Sequence, residues 1–386
     1  MMRVLFVTNG HGEAAIAERI AVELELVARD ARIDHLALVG DTPSQHLRDV
    51  GPRASMPSGG LIAMFNLGNI ARDLRAGLLG VVAAQRRFLR RSRDAYDAAV
   101  AVGDVYALAT ALTLRKPTVF VGTAKSVAVA PYGPVEKRYL RRAAACFVRD
   151  EATAQSLRAD VPRVEVANAI VDLFATADDP AAQRAVEGFA PALALFPGSR
   201  ENAYDDGEFL LDVTRRLAAS SPTLGAALSL ARGLDAERFA QDATHRGWHV
   251  RPTDDASIPF TLSSSGRELV RAWRGELGPL LSRVALVMGQ AGTANEAAAA
   301  AGVPIVAFER DRDRKASWYR RRQRGLLGDA LAVFSSRGDE PVAGVLAILN
   351  DPALRAHMSA VGRSRMGAAG GARRIAERIV ALTRAS

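Results

Sequence analysis

Four short segments combine glycine with residues able to move protons or hold anions, and each follows an apolar run. The first is Asn9-Gly10-His11-Gly12-Glu13. Two glycines let a backbone turn tightly and come close to a ligand. The helix that should follow offers free N–H groups and the positive end of its dipole. His11 is a candidate general base or a donor to a phosphate or sugar oxygen, and equally an ordinary loop histidine. Glu13 is equally well read as an acidic first-turn residue. The second is Val102-Gly103-Asp104-Val105-Tyr106. A carboxylate directly after a buried strand is partly desolvated, which raises its pKa and suits a general base. Aspartate is also a favoured helix N-cap, so both roles stay open.

The third segment is Leu195-Phe196-Pro197-Gly198-Ser199-Arg200-Glu201. Its backbone N–H groups, the Ser199 hydroxyl and the forked Arg200 guanidinium suit a diphosphate. The fourth is Met288-Gly289-Gln290-Ala291-Gly292-Thr293-Ala294-Asn295-Glu296, with Gly292 and Thr293 at a helix start and Glu296 placed to accept from ribose hydroxyls. Each also reads as a plain capped turn. The first loop lacks the G-x-G-x-x-G spacing of a dinucleotide fingerprint, which disfavours NAD.

The elements that must position these turns alternate along the chain. Strands are expected at 3–8, 35–39, 98–102, 118–121, 146–149 and 164–166, then at 192–196, 226–230, 284–288 and 304–308. Helical stretches lie between them, at 13–28, 105–114, 208–219, 235–245 and 295–301. Such alternation implies parallel sheets of right-handed βαβ units, and two such runs imply two Rossmann-like domains. Ligands of these sheets bind at the carboxyl ends of the strands, where all four segments fall. The stretch 176–191, rich in Ala, Asp and Pro, reads as a linker.

Composition bounds the reading. A chain of 386 residues, 49% hydrophobic and 24% charged, is globular and long enough for two cores. Aromatic residues are 6%, and Ala, Val and Leu dominate, which favours helices on a buried parallel sheet. Cys146 is the single cysteine, so an intramolecular disulfide and a cysteine zinc site are both excluded. Asp311-Arg312-Asp313 matches a metal-binding D-x-D in form, but it is embedded in arginines, and no metal is expected. The net charge of +9 suits an anionic partner or a solvated arginine surface, and no nucleic-acid module is visible. The first residues read as a strand and not as a signal peptide. The longest apolar stretch, 98–114, is interrupted by Asp104 and Thr110, short of the ~20 apolar residues a span needs. The expectation is a cytoplasmic protein, peripheral attachment to the inner membrane face being open. Ile70, Leu74, Leu78, Val81 and Phe88, with Arg72, Arg75, Arg86, Arg87, Arg90 and Arg91, outline a basic amphipathic helix. It fits an anionic interface, or a helix packed on the core. The basic stretch 310–324 reads as a solvated helix, with phosphate binding or membrane contact as the alternative.

Together, the segments at 195–201 and 289–296 resemble the nucleotide-sugar half of lipid-A-disaccharide synthase. Asn9-Gly10-His11-Gly12-Glu13 is more similar to the related branch of that family, and Val102-Gly103-Asp104 resembles the synthase segment carrying its proposed base. Asn168-Ala169-Ile170-Val171-Asp172 is similar to the segment leading into the second domain, although Ala167 and Ala169 replace its glycine and proline. The resemblance implies a GT-B fold, α/β, with two Rossmann-like domains facing each other across a cleft. It places an acceptor-side domain at 1–175, a nucleotide-sugar domain at 190–367 and a C-terminal helix at 368–386 that packs back on the first domain. It implies an inverting, metal-independent glycosyltransferase. Gly198, Ser199, Arg200, Gly292, Thr293 and Glu296 would hold a UDP-sugar of the N-acylglucosamine type. Asp104 would be the base, with His11 as the alternative, and Asn9, Gly10, Gly12 and Glu13 would form the acceptor-side loop. No cofactor beyond the UDP-sugar donor is implied. The acceptor would be a lipid or other glycoconjugate at an anionic membrane surface. Two alternatives share the architecture: an epimerase of the UDP-N-acetylglucosamine 2-epimerase kind, and a non-catalytic nucleotide-sugar-binding protein.

Overall fold

The computed structural model describes residues 2–38, 44–53, 78–123, 125–174, 178–199, 201–231, 233–310 and 314–384, with His11, 78–79 and 314–319 described by their backbone alone. The chain divides into two compact units, Met1–Leu173 with Ala368–Ser386, and Phe174–Gly367.

The first unit is built on strands β1 Arg3–Thr8, β2 Arg32–Ala37, β3 Arg48–Asp49, β4 Ala98–Gly103, β5 Thr118–Gly122, β6 Ala145–Val148 and β7 Val164–Val166. They lie in the order β3-β2-β1-β4-β5-β6-β7 and every pairing is parallel. β4 is apolar throughout and buried on both faces, as a central parallel strand must be. The strand order reverses between β1 and β4, and such a switch point opens a crevice at the carboxyl ends of the two strands. The first turn of chemical interest follows β1 and the second follows β4.

β2 begins three residues before the expected start at 35. Asp34 interrupts the apolar pattern, yet it is fully buried. Arg48 reaches it with Nε at 2.7 Å and Nη2 at 2.8 Å, and the Tyr96 hydroxyl donates to it at 2.8 Å. Burial of a carboxylate is tolerated only when it is paired in this way.

The second unit contains β8 Ala192–Phe196, β9 Gly225–Ser229, β10 His249–Pro252, β11 Phe260–Ser264, β12 Arg267–Trp273, β13 Leu286–Gly289, β14 Ile305–Glu309 and β15 Leu331–Ser335. Their order is β10-β11-β12-β9-β8-β13-β14-β15. Its switch point falls between β8 and β13, which again are the strands feeding the third and fourth segments. The sheet is not wholly parallel: β10, β11 and β12 pair antiparallel at one edge, an addition the sequence reading did not contain. The β11–β12 hairpin turns on Ser265 and Gly266, both at positive φ, as a two-residue hairpin loop requires.

The segment read as a linker holds the helix Pro180–Val186, which buries Ala181, Ala182, Ala185 and Val186 and belongs to the second unit. The last helix, Gly371–Arg384, packs against the helix His11–Val27 in the first unit. Asp172 fixes its start by accepting from Gly370 N at 2.5 Å and Ala372 N at 2.7 Å. Among the described residues, no helix is long and apolar enough to cross a membrane.

Candidate functional site

Each unit presents its own edge. In the first, parallel pairing sets Val102 beside Thr8 and Gly122 beside Gly103, so the residues that follow β1, β4 and β5 emerge side by side. Asp104 caps the helix Val105–Ala111. Its Oδ1 accepts from Tyr106 N at 2.8 Å and from Ala107 N at 3.1 Å. Both readings of this residue are therefore compatible, because the cap engages one oxygen only. Asp104 Oδ2 is buried and has no hydrogen-bond partner, and the same is true of Asn9 Oδ1 and Thr123 Oγ1. Three adjacent strands thus each end in a buried, unengaged oxygen, where structural polar atoms are ordinarily satisfied.

Burial raises the Asp104 pKa above its ordinary value. The two backbone donors and the Asn9 side chain act in the opposite direction, and the Glu136 charge adds to the rise. Glu136 starts the helix Pro134–Leu140 and accepts from Gly133 N at 2.8 Å and from Lys125 Nζ at 2.7 Å. Lys125 also lies over the Tyr132 ring, 5.6 Å from its centroid. Burial keeps the Tyr132 phenol protonated far into the alkaline range. Glycine at 103 serves two needs. Its φ of +131° is one that side chains resist, and a Cβ there would stand 2.1 Å from Asn9 Oδ1. The Glu13 side chain lies across the same place, with its carboxylate over Gly10. Asn9, Gly10, Glu13 and Asp104 are therefore brought together. Gly12 is exposed, and the His11 side chain lies outside the described residues. Lys125, Tyr132 and Glu136 were not singled out in the sequence, although a Gly-Pro-x-Glu helix start at 133–136 marked where to look.

One neighbouring arrangement looks catalytic and is not accessible. Thr8 Oγ1 lies 2.8 Å from His35 Nε2, and His35 Nδ1 lies 2.9 Å from Asp49 Oδ1. The order is that of a hydroxyl–imidazole–carboxylate relay. Thr8 is 1% exposed and His35 fully buried, so no substrate reaches the hydroxyl. Desolvation, aided by Arg53, lowers the His35 pKa to about 4 and holds the ring neutral.

In the second unit, Gly289 pairs with Phe196, and Gln290 N donates to Phe196 O at 2.8 Å. The turns at 197–201 and 290–293 thus leave adjacent strands. Gly198 has φ +121° with open space where a Cβ would stand, and Ser199 and Thr293 are exposed. Arg200 lies outside the described residues. Neither the helix Asn202–Ser220 nor the helix Thr293–Ala301 has a side-chain cap, and Glu296 is half-buried in the first turn of the latter. Arg310 Nη1 reaches Asp205 O at 2.7 Å and Asp206 Oδ1 at 2.9 Å, joining the end of β14 to the first of these helices. Burial raises the Asp206 pKa, and the charges of Arg310 and Arg320 oppose that rise.

The expectation for one basic segment changes, and for another the structure agrees with the core-packed alternative. The stretch read as a solvated basic helix, now Arg314–Leu327, buries Arg320 to 6% and Gln323 to 5% exposure. The helix Leu78–Arg91 packs Leu89 into the core with Val81 and Phe88 against it, leaving Arg86, Arg87, Arg90 and Arg91 exposed. Its described apolar face is engaged by the protein itself. Ile70, Arg72, Leu74 and Arg75 lie outside the described residues, as do Asp311, Arg312 and Asp313. Among the described residues, no group of three or more His, Cys, Asp or Glu side chains could hold a metal ion.

No family model matches the chain, and no curated protein does. Solved structures do. A Listeria monocytogenes protein described as a UDP-N-acetylglucosamine 2-epimerase superposes with a TM-score of 0.63 at 14% identity, covering 100% of this chain and 97% of its own. The UDP-GlcNAc 2-epimerase of Neisseria meningitidis, solved bound to UDP-GlcNAc, gives 0.59 at 13% identity, with 98% of this chain and 100% of the other covered. The glycosyltransferase SnogD of Streptomyces nogalater gives 0.55 at 16% identity, with 99% of each chain covered. At such identities the likeness carries the fold: two Rossmann-like sheets of the GT-B kind. Lipid-A-disaccharide synthase is not among these structures, so that part of the resemblance rests on motifs alone.

Proposed function

We propose that this chain is an enzyme acting on a UDP-sugar. The turns at 197–201 and 290–293 have the make-up of a diphosphate site, with Glu296 for the ribose, and the edge around Asp104 in the other unit has the make-up of a proton-handling one. The observation that carries the reading is the row of buried, unengaged oxygens of Asn9, Asp104 and Thr123 after three adjacent strands, the first two of which flank the switch point. Asp104 has the properties of a base: burial holds its pKa up, and one oxygen is left for a substrate proton.

Inversion at C2 of an N-acylglucosamine-type sugar is the reaction these groups fit best. The C2 proton leaves as the bond from C1 to UDP breaks, which gives a C1=C2 double bond; a proton then returns to the opposite face of C2 as UDP adds back to C1, so the reaction needs two proton-handling groups. Asp104 and Glu136 are two carboxyls close enough for one charge to act on the other, and Tyr132 is a phenol kept in its donor form. The likeness to the Neisseria meningitidis 2-epimerase, and to the Listeria monocytogenes protein described as one, supports the same choice over glycosyl transfer.

Transfer to a lipid or other glycoconjugate acceptor is the second reading, favoured by the motif resemblance and by the likeness to SnogD. There Asp104, or His11, takes the proton of the acceptor hydroxyl as the bond from the anomeric carbon to UDP breaks. Charge growing on the departing UDP is met by helix-start N–H groups without a metal. Contact with an anionic membrane, through the outward arginines of Leu78–Arg91, belongs to this reading.

Incubation with UDP-N-acetylglucosamine and no acceptor separates the two. Appearance of the C2 epimer, followed by NMR, is the expected result. Release of UDP only after a membrane-lipid extract is added would move the assignment to transfer. Binding without turnover in either case would leave a nucleotide-sugar-binding protein.

A further inference from the structure

The turn at 289–292 is held from behind by three buried side chains. Asn295 Nδ2 donates to Gly289 O at 3.1 Å, and Arg320 Nη2 donates to Gln290 O at 3.2 Å. Gln323 Nε2 donates to Ala291 O at 2.9 Å and to Gly292 O at 3.3 Å. Four successive carbonyls are therefore engaged by side chains. The three side chains also hold one another: Gln323 Oε1 accepts from Asn295 Nδ2 and from Arg320 Nη1, each at 3.3 Å. Asn295 is fully buried, and a Cβ on Gly289 would stand 1.9 Å from its Oδ1, so position 289 has room for glycine alone.

Planarity of the trans peptide sets each N–H opposite to the carbonyl before it. Carbonyls 290, 291 and 292 drawn inward turn the N–H groups of Ala291, Gly292 and Thr293 the other way. The N–H before them, on Gln290, is already bonded to Phe196 O at 2.8 Å. Successive N–H groups aimed together form an anion-binding concavity. The helix Thr293–Ala301 adds its positive end, which no side chain caps.

We propose that Gln323, with Arg320 and Asn295, is a positioning residue for diphosphate recognition. It touches no ligand; it sets the direction of the amides at 291–293. The inference rests on the nucleotide reading of this turn, and it adds that affinity for the diphosphate is controlled from a helix thirty residues downstream in the sequence.

The test uses the full chain, isotope-labelled, with inorganic pyrophosphate, UDP and uridine as separate probes. Pyrophosphate and UDP should shift the amide resonances of Ala291, Gly292 and Thr293. Gln323→Met, which keeps the volume and removes both the donor to the turn and the acceptor for Asn295 and Arg320, should weaken both ligands about tenfold, the worth of one or two hydrogen bonds. Uridine affinity should stay as in the wild type, which a general loss of structure would not allow. Gln323→Leu, a second way of removing the donor without adding charge, should do the same, and serves if the methionine variant does not fold. Amides unmoved by both phosphate probes, or folded variants with unchanged affinity for them, would overturn the inference. Pyrophosphate acting as expected while UDP binds no tighter and uridine not at all would leave the positioning role standing and remove the nucleotide reading.

Discussion

The two strand edges share one plan, a switch point with a helix starting on either side, and differ in what meets the helix starts. After β4, the Asp104 side chain meets the first N–H groups of its own helix, which leaves a carboxylate with one spare oxygen. After β8 and β13, the helices at 202 and 293 begin with no side-chain cap, which leaves N–H groups. A buried aspartate with one oxygen to spare suits proton handling, and a bare helix start backed by clamped carbonyls suits an anion. On the proposed reading, the same fold serves two tasks by changing a few residues at equivalent places.

The largest expected effect tests the first edge. Asp104→Asn preserves the cap, since asparagine caps as well as aspartate, but removes the base. Turnover should fall by roughly 10²–10⁴-fold, the usual worth of general base catalysis. In the wild type, the acid limb of the pH–rate profile should lie above the ~4 of an ordinary carboxyl, because burial raises this pKa. An acid limb at the ordinary value would place the base elsewhere.

Acid stability sharpens the contrast next. His35 is neutral in the folded state with a pKa of about 4, against 6.5 unfolded. The unfolded chain binds the extra proton between those values, so stability falls as pH drops from about 6.5 to about 4. The loss amounts to about 3 kcal/mol. Asp104, whose pKa is raised, works the other way: the folded state holds its proton more readily and gains stability as pH falls through the window above the ordinary carboxyl value. Both groups are in the first unit. Hydrogen exchange at pH 5 should show the first sheet losing protection before the second, and His35→Gln should flatten that pH dependence. Uniform loss across both sheets would count against it.

Glycine substitutions follow. Gly198→Ala and Gly103→Ala should each destabilise by about 1–3 kcal/mol, because both positions have strongly positive φ. Gly103→Ala should be the worse, since only there does the methyl meet another side chain. Thermal denaturation of the two variants gives the comparison directly. Smallest of all, Arg86→Ala or Arg87→Ala should change stability by less than about 0.5 kcal/mol, both side chains being exposed. A larger change would mean that this face is covered in solution.

Much of this was legible in the sequence for a physical reason. β1, β4, β8 and β13 are short apolar runs ended by glycine-bearing turns, and that pattern marks both the strand and its functional end. The edges of the pattern were less clear. Asp34 hid the start of β2 because its partners, Arg48 and Tyr96, are 14 and 62 residues away. β11 and β12 mix polar and apolar residues, since only part of each is buried, and so escaped an apolar-run reading. Arg320 and Gln323 looked like surface residues in a basic run. Their burial depends on backbone carbonyls near 290, which no local pattern announces.

The division of labour is tested most directly by measuring UDP affinity and turnover for Asp104→Asn and Gln323→Met side by side. Asp104→Asn should bind UDP as the wild type does and turn over almost nothing. Gln323→Met should bind UDP about tenfold more weakly and keep its rate when saturated. If either variant lost affinity and saturated rate together, proton handling and diphosphate binding would not be separate tasks of the two edges.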